Sequence, residues 1–431
     1  IKDNKLLSMG KSKKDLPDSL KDFVNITKKF FNFHSHSVPL CAAENIISPF
    51  AKLPLGIGLQ ERYIMGGMLG YDINDNFIGS EFLLPYYEKI NQQCEILFNS
   101  TYADARTLSG MNAITSLLMA LTEQNDTIIL SSPETGGHPS VPIICKRLGL
   151  NIEPMPYNYH IFDFDYDKLN DLISEKKPKA VVFVPSDIIS IPKLDLLKVK
   201  NTYLIYDATQ TLGLIASKVI ENPLKQNQNV ILLGGTHKTF PGPTNGLIMT
   251  CNEEIAKQID VSISPKFVRN TQMHQVACLL LTLIEIEYFG KEYSTQIIKN
   301  ANILGKKLTQ YGFSLPFINE KYTNTHQLFI LTDKEQMNRI FMNSLASGVT
   351  LNKKEKPLFH GYGIRIGVQE ITRYGWGEFE LELIAQILNS LDKNDSESVQ
   401  KTLKILPNKK DIHFTFDEKT IAWISNNLQE N

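Results

Sequence analysis

The sequence predicts an α/β fold, with a mostly parallel sheet covered by helices on both faces and a smaller α+β lobe after it. Three observations carry this. From about residue 106 to 250, short strand-like runs alternate with helix-like stretches. The runs at 127–130, 180–184, 203–206 and 230–233 are continuously apolar, the pattern of strands buried on both faces. After about residue 265 the order changes to one long helical stretch followed by fewer, more scattered strands.

Taken in order, residues 1–45 are lysine-rich, then apolar and aromatic around Phe30, Phe31 and Phe33, and read as a helical arm that packs on something. His34 and His36 read as loop histidines, since no third metal ligand lies nearby. Residues 46–105 hold many Gly and aromatic residues and one clear helix, at 81–98. A helix opening at Ser109 and ending near 123 leads to the strand 127–130, and a helix at 140–148 to the strand 151–154. A helix at 166–175 precedes the strands 180–184, 203–206, 230–233 and 246–250. The second lobe reads as a helix from 273 to about 311, a strand 327–331, a helix 335–347, a strand 363–366, a helix 377–391 and a lysine-rich tail. The expected division is an arm 1–45, a large domain 46–265 and a small domain 266–431. The charge runs 11–15, 175–179 and 353–356 read as solvated faces or loops.

A chain of 431 residues can bury a large core, and its formal charge of −1 gives no electrostatic case for nucleic acid or an anionic membrane. Five scattered cysteines without a CxxC pair argue for a reducing compartment and against a disulfide scaffold or zinc site. No apolar run reaches transmembrane length and no signal-type apolar stretch opens the sequence, so a cytoplasmic protein is expected.

The chemistry gathers at Leu232-Leu233-Gly234-Gly235-Thr236-His237-Lys238-Thr239-Phe240-Pro241-Gly242-Pro243. A buried strand runs into small and hydroxyl residues, a lysine and a Pro-Gly-Pro turn. Burial lowers a lysine's pKa and frees the amine as a nucleophile. Such an amine suits a Schiff base, for which pyridoxal phosphate is the usual aldehyde. A surface lysine in a turn is the plain alternative. A phosphate-binding P-loop is rejected because His237, not glycine, precedes Lys238. Three further features stand where such a cofactor needs them. Ser109-Gly110-Met111 opens a helix whose free N–H groups can cradle a phosphate, unless Ser109 is only an N-cap. Asp207 ends a strand, where it can pair with a protonated pyridine nitrogen or merely cap the next turn. Arg365, inside the apolar strand Gly363-Ile364-Arg365-Ile366-Gly367, calls for a carboxylate, from a substrate or from a structural salt bridge.

From about residue 20 to 395 the chain resembles a fold-type I pyridoxal phosphate enzyme of the serine hydroxymethyltransferase group. The resemblance rests on Thr236-His237-Lys238-Thr239 with Gly242-Pro243, on 40–45 with Ser48-Pro49, and on Gly136-Gly137-His138. Asp207 with Gly213-Leu214, and Gly363 to Gly367 with Ile371-Thr372-Arg373, continue it in order. It implies an aminotransferase-like, seven-stranded sheet and pyridoxal 5'-phosphate as cofactor. Lys238 is then the Schiff-base lysine, Asp207 the pyridinium partner and Arg365 the carboxylate clamp. It adds Ser109, Gly110 and Met111 to a phosphate cup, and Ser186, Thr135, Gln210, Thr236 and Asn270 to the cofactor surroundings. Tyr63 matches a tyrosine that reaches the neighbouring subunit's cofactor and substrate, which implies a homodimer with shared active sites.

The departures narrow the activity. The family's Tyr-x-Glu-Gly stretch reads Tyr63-Ile64-Met65-Gly66, and methionine cannot move a proton. Asn76-Phe77-Ile78-Gly79 loses a hydroxyl, Thr135 and Gln210 replace histidines, Thr244 replaces an arginine, and Arg269-Asn270 replaces a Gly-Gly. The Lys-Thr-x-Pro-Gly-Pro form and Asn270 are similar to L-threonine transaldolases. Expected, then, is aldol-type Cα–Cβ chemistry on amino-acid and aldehyde substrates, with His138, His237 or a water as the hydroxyl base. Met65, Phe77 and Thr135 hint at a bulkier or less polar acceptor. The alternatives are a folate-dependent hydroxymethyltransferase, another pyridoxal phosphate reaction at Cα (racemase, decarboxylase or aminotransferase), and a non-catalytic partner subunit.

Overall fold

The computed structural model describes residues 17–64, 77–225 and 229–428. Its first elements are α1 (Asp18–His36), β1 (Val38–Pro39), α2 (Leu84–Phe98), β2 (Tyr102–Asp104), α3 (Gly110–Leu121), β3 (Thr127–Leu130), α4 (Val141–Arg147) and β4 (Asn151–Pro154). Next come β5 (Tyr157–Asn158), β6 (Asp163–Phe164), α5 (Tyr166–Lys176), β7 (Ala180–Phe183), β8 (Tyr203–Asp207), α6 (Leu212–Ala216), β9 (Val230–Gly235), β10 (Gly246–Thr250) and α7 (Glu253–Ser262). The chain continues through α8 (Met273–Gln310), β11 (Gln327–Thr332), α9 (Lys334–Ser347), β12 (Val349–Thr350), β13 (Asn352–Lys356) and β14 (Gly361–Gly367). It closes with α10 (Gln369–Arg373), α11 (Glu378–Asp392), α12 (Ser396–Leu403) and α13 (Glu418–Leu428).

The central sheet has seven strands in the order β2-β10-β9-β8-β7-β3-β4. Only β10 runs against its neighbours; β9, β8, β7, β3 and β4 pair in parallel. Because side chains alternate along a strand, each central strand feeds two cores. Val181, Phe183, Leu204, Tyr206 and Leu232 face one side, with α2, α5 and the first half of α8. Val182, Ile205, Ile231 and Leu233 face the other, with α3 and α7. Continuous apolar runs were therefore the right signal of a sheet covered twice.

The second sheet is antiparallel, β11-β14-β13, with β14 in the middle. The second half of α8 packs on it through Ile297, Ala301, Leu304 and Leu308, so this single helix runs through both cores.

Several expectations give way. The charged run 353–356 is not a solvated loop but lies in β13, held by β14, with Lys354 and Lys356 half-buried while Lys353 and Glu355 face solvent. The lysine-rich tail carries α12 and α13, and β2 was not read because three residues give no periodicity. His34 and His36 lie on α1, not in a loop, and no metal-binding group of His, Cys, Asp or Glu occurs among the described residues. The run 11–15, Met65, Gly66 and Asn76 lie outside the described residues. No helix among the described residues is long and apolar enough to cross a membrane.

Candidate active site

Parallel pairing puts Asp207, the last residue of β8, opposite Leu233 of β9, and Lys238 follows the end of β9 by three residues. Both therefore sit at the carboxyl edge of adjacent strands, where open α/β sheets place their ligands.

The lysine loop is held rigidly. Thr236 Oγ1 donates to the Pro243 carbonyl at 2.6 Å and the Gly242 N–H to the Thr236 carbonyl at 2.8 Å, so the Thr236 hydroxyl is spent inside the loop. Thr239 Oγ1 donates to the Gln210 carbonyl at 2.8 Å and accepts from Gly213 N–H. Gly213 is required here, since a Cβ would lie 2.2 Å from the Thr239 carbonyl oxygen. Asn45 Nδ2 donates to the Lys238 carbonyl and to Tyr293 Oη at 2.9 Å, tying the 40–45 segment to the lysine backbone.

Burial, and next the Arg365 charge, lower the Lys238 pKa to about 8, although Asp207 and Asp187 oppose the shift. The amine is thus substantially neutral slightly above neutral pH. Asp207 is buried, and burial raises its pKa against two bonds donated by Thr209, from N–H at 2.9 Å and from Oγ1, both to Oδ1. Its Oδ2 has no hydrogen bond among the described residues, which leaves it for a buried cationic N–H.

At the start of α3, Ser109 Oγ accepts from Asn112 N–H at 3.1 Å. The N–H groups of Gly110 and Met111 have no acceptor among the described residues, and α3 is long enough to add its dipole. A Cβ on Gly110 would lie 2.9 Å from the Gly235 nitrogen and 3.0 Å from Thr209 Oγ1. So the helix start abuts both the aspartate turn and the end of β9.

Arg365, on β14, is 4% exposed. Its Nη1 donates to the Ser186 carbonyl and to Asp187 Oδ1, both at 2.8 Å, and its Nη2 to Asn352 Oδ1 at 2.8 Å. Nε is buried without a partner. The arginine thus has its structural salt bridge, to Asp187, and still keeps its Nε–H unspent. Gln327, on β11, joins the lobes: its Nε2 donates to the Ser186 carbonyl at 3.1 Å and to Gln210 Oε1 at 2.9 Å.

His138 follows Gly136-Gly137, which pack against the 186–187 turn; Gly136 has φ +97° and its Cβ would meet the Asp187 carbonyl at 2.4 Å. Burial, then the Lys238 charge, lower the His138 pKa. The same two causes, in the same order, bring His237 down to about 4, and its buried Nδ1 has no partner. Thr135 is buried, with Oγ1 donating to the Ser132 carbonyl at 3.0 Å.

Lys238, Asp207, Arg365, Ser186, Gln210, His138, His237 and the 109–111 helix start are thus brought together across both lobes. Tyr63 packs its ring on Phe77 at 4.5 Å, and Asn270 is exposed with Oδ1 accepting from Gln272 N–H. Neither makes a hydrogen bond to the lysine, the aspartate or the arginine among the described residues. Asp187, Asn352, Gln327 and Asn45 carry no mark of the site in the sequence, since their partners are 13 to 193 positions away.

The serine hydroxymethyltransferase family model matches residues 16–388. The chain belongs to the serine hydroxymethyltransferase family. Curated relatives agree: the serine hydroxymethyltransferase of Methanocella arvoryzae is 30% identical over 404 residues, covering 89% of this chain and 93% of the relative. That of Staphylothermus marinus is 32% identical over 397 residues, covering 88% and 89%. Among solved structures, L-threonine transaldolase from Pseudomonas fluorescens superposes with a TM-score of 0.87 at 23% identity, covering 96% of this chain and 98% of that one, which fixes the fold.

Membership makes this chain a pyridoxal 5'-phosphate enzyme of the transferase type. The residues present fit that cofactor: a buried amine with a depressed pKa, a buried carboxylate with one free oxygen, and two unspent N–H groups at a helix start.

Proposed function

We propose that the protein carries out aldol-type Cα–Cβ chemistry with pyridoxal phosphate, cleaving or forming a β-hydroxy-α-amino acid as a threonine transaldolase or aldolase. The observation that carries this reading is the combination of an intact lysine–aspartate–arginine frame with the loss of the side chains that would handle protons around it. Gln210 is an amide tied to Gln327, Thr135 is bonded back to Ser132, and Met65 stands where the family has its glutamate.

When bound, the cofactor stabilises negative charge developing at the substrate's Cα. The chain's own residues do the rest. Lys238 would hold the cofactor through its amine, and Asp207 Oδ2 would accept from the ring N–H and keep it protonated. The N–H groups of Gly110 and Met111, with the dipole of α3, receive the phosphate. Arg365, with its Nε unpartnered, would take the α-carboxylate and so orient the substrate at Cα. His138 holds the β-hydroxyl proton during carbon–carbon cleavage. A base works best with a pKa near ambient pH, and His237, at about 4, is the weaker choice.

A homodimer is part of this reading. Helix α1 has no buried residue and exposes Leu20, Phe23, Val24, Phe30 and Phe31 along a helical stripe, an apolar face that a second copy would cover.

The second reading is folate-dependent serine hydroxymethyl transfer, favoured by the names of the curated relatives. Incubation with threonine and an aromatic aldehyde, followed by mass spectrometry, separates the two. A new β-hydroxy-α-amino acid supports the proposal. Its absence, together with tetrahydrofolate-dependent turnover of serine, establishes the second reading instead.

A further inference from the structure

Asp187 is a side chain with no solvent exposure on which three cations converge. Arg365 Nη1 lies 2.8 Å from Oδ1, Lys354 Nζ 2.8 Å from Oδ1, and Lys356 Nζ 2.7 Å from Oδ2. Lys356 also donates to the Pro133 carbonyl at 2.9 Å. One carboxylate cannot match three cations, and desolvated charge of one sign is costly unless an anion meets it.

The strand geometry aims the surplus at the active site. Asn352, Lys354 and Lys356 share one face of β13, opposite Arg365, Gly363 and Gly361 of β14, while Lys353 and Glu355 face solvent. Asn352 touches Arg365 directly. The bond from Lys356 to the Pro133 carbonyl sets it against the 133–138 turn that leads to His138, and Lys354 shares Asp187 Oδ1 with Arg365. Both keep 18% of their side chains exposed. Burial, with the Arg365 and Lys356 charges, outweighs Asp187 and lowers the Lys354 pKa, as befits a cation short of anions. Were Arg365 to take a substrate α-carboxylate, three cations would still face two anions.

We propose that Lys354 and Lys356 form a receptor for a second acidic group, a carboxylate on the aldehyde substrate, beyond the α-carboxylate held by Arg365. This rests on the aldol reading above and names its acceptor class: an aldehyde with an apolar body and an acidic far end. To the expected bulkier or less polar acceptor it adds an acidic end, met by the half-buried Lys354 and Lys356.

Binding and turnover test it separately. The pyridoxal phosphate-loaded protein is titrated by calorimetry with para-(hydroxymethyl)benzoate, an unreactive alcohol, and with its methyl ester. The acid is expected to bind about tenfold or more tighter, as charge-assisted hydrogen bonds are worth over 1.4 kcal/mol. The preference should shrink with added salt. K354Q/K356Q should bring acid and ester within about twofold, and K354R/K356R should retain the preference. Where the double variant does not fold, K354Q and K356Q singly are each expected to lose part of it. Equal binding of acid and ester by the unaltered protein, or a preference that survives both glutamines, overturns the receptor. Turnover of para-formylbenzoate against its methyl ester, with threonine as donor, should show the same ratio. If the acid binds preferentially and neither aldehyde is converted, the receptor stands and the aldol reading fails.

Discussion

Replacing Asp187 by asparagine tests the packing of the site while leaving Lys238 itself in place. Burial opposes the Asp187 charge, but Arg365, Lys354 and Lys356 outweigh it and hold the carboxyl at about 2, against an ordinary 3.8. At about 1.4 kcal/mol per pKa unit, that amounts to roughly 2.5 kcal/mol in favour of the folded, ionised form. Asparagine keeps the shape, removes this term and leaves three cations facing one another. Since breaking a buried ion pair from one side costs about 3–5 kcal/mol, and the two lysines here can turn partly to water, D187N should lose about 2–4 kcal/mol. The sign with pH follows from a folded pKa below the unfolded one. The contribution is fully present above 3.8 and lost as pH falls through about 2. Urea denaturation followed by circular dichroism, at equal protein concentration, reads the difference. The gap between the two proteins should be constant from neutral pH to about 5 and narrow below about 4. A variant within about 0.5 kcal/mol of the unaltered protein, or a gap that persists at low pH, would refute the claim that the cluster is held by Asp187.

Three further outcomes are expected. Gly110→Ala puts a Cβ 2.9 Å from the Gly235 nitrogen, so it should weaken pyridoxal phosphate binding by about tenfold or more at nearly unchanged helix content, measured by fluorescence titration. Lys238→Met should make the cofactor-free protein more stable, because a lysine with a folded pKa of about 8 opposes folding while it is charged. That gain is full below about pH 8 and fades as pH rises toward 10.5, which urea midpoints across this range will read. Charged substitution of the α1 stripe, F23E with F30E, should shift sedimentation toward the monomer, whereas an unchanged assembly would remove α1 from the interface.

What could be read from the sequence was what single residues and short runs carry. The apolar strands at 180–184 and 230–233 announce a doubly covered sheet because every residue in them is buried. Lys238 and Asp207 are legible because parallel strands put their last residues on one edge, and Arg365 because a lone arginine in an apolar strand needs an anion. The anion was not legible. Asp187 lies 178 positions from Arg365, and nothing in Val184-Pro185-Ser186-Asp187 marks it. In the same way, Asn352-Lys353-Lys354-Glu355-Lys356 looks solvated on both faces until Asp187 is set against one of them. The backbone tie from Asn45 to Lys238 and the Gln327–Gln210 bridge are likewise products of long-range packing. For the two proton-handling candidates, His138 and His237, the burial beside Lys238 that lowers both pKa values is likewise a product of long-range packing.

The central claim is that Lys238 holds the cofactor. Borohydride reduction of the pyridoxal phosphate-loaded protein, followed by proteolysis and peptide mass spectrometry, tests it directly. One reduced pyridoxyl adduct is expected, on Lys238, together with loss of the visible absorption band in Lys238→Ala. An adduct confined to another lysine, or a band that survives the substitution, would contradict it.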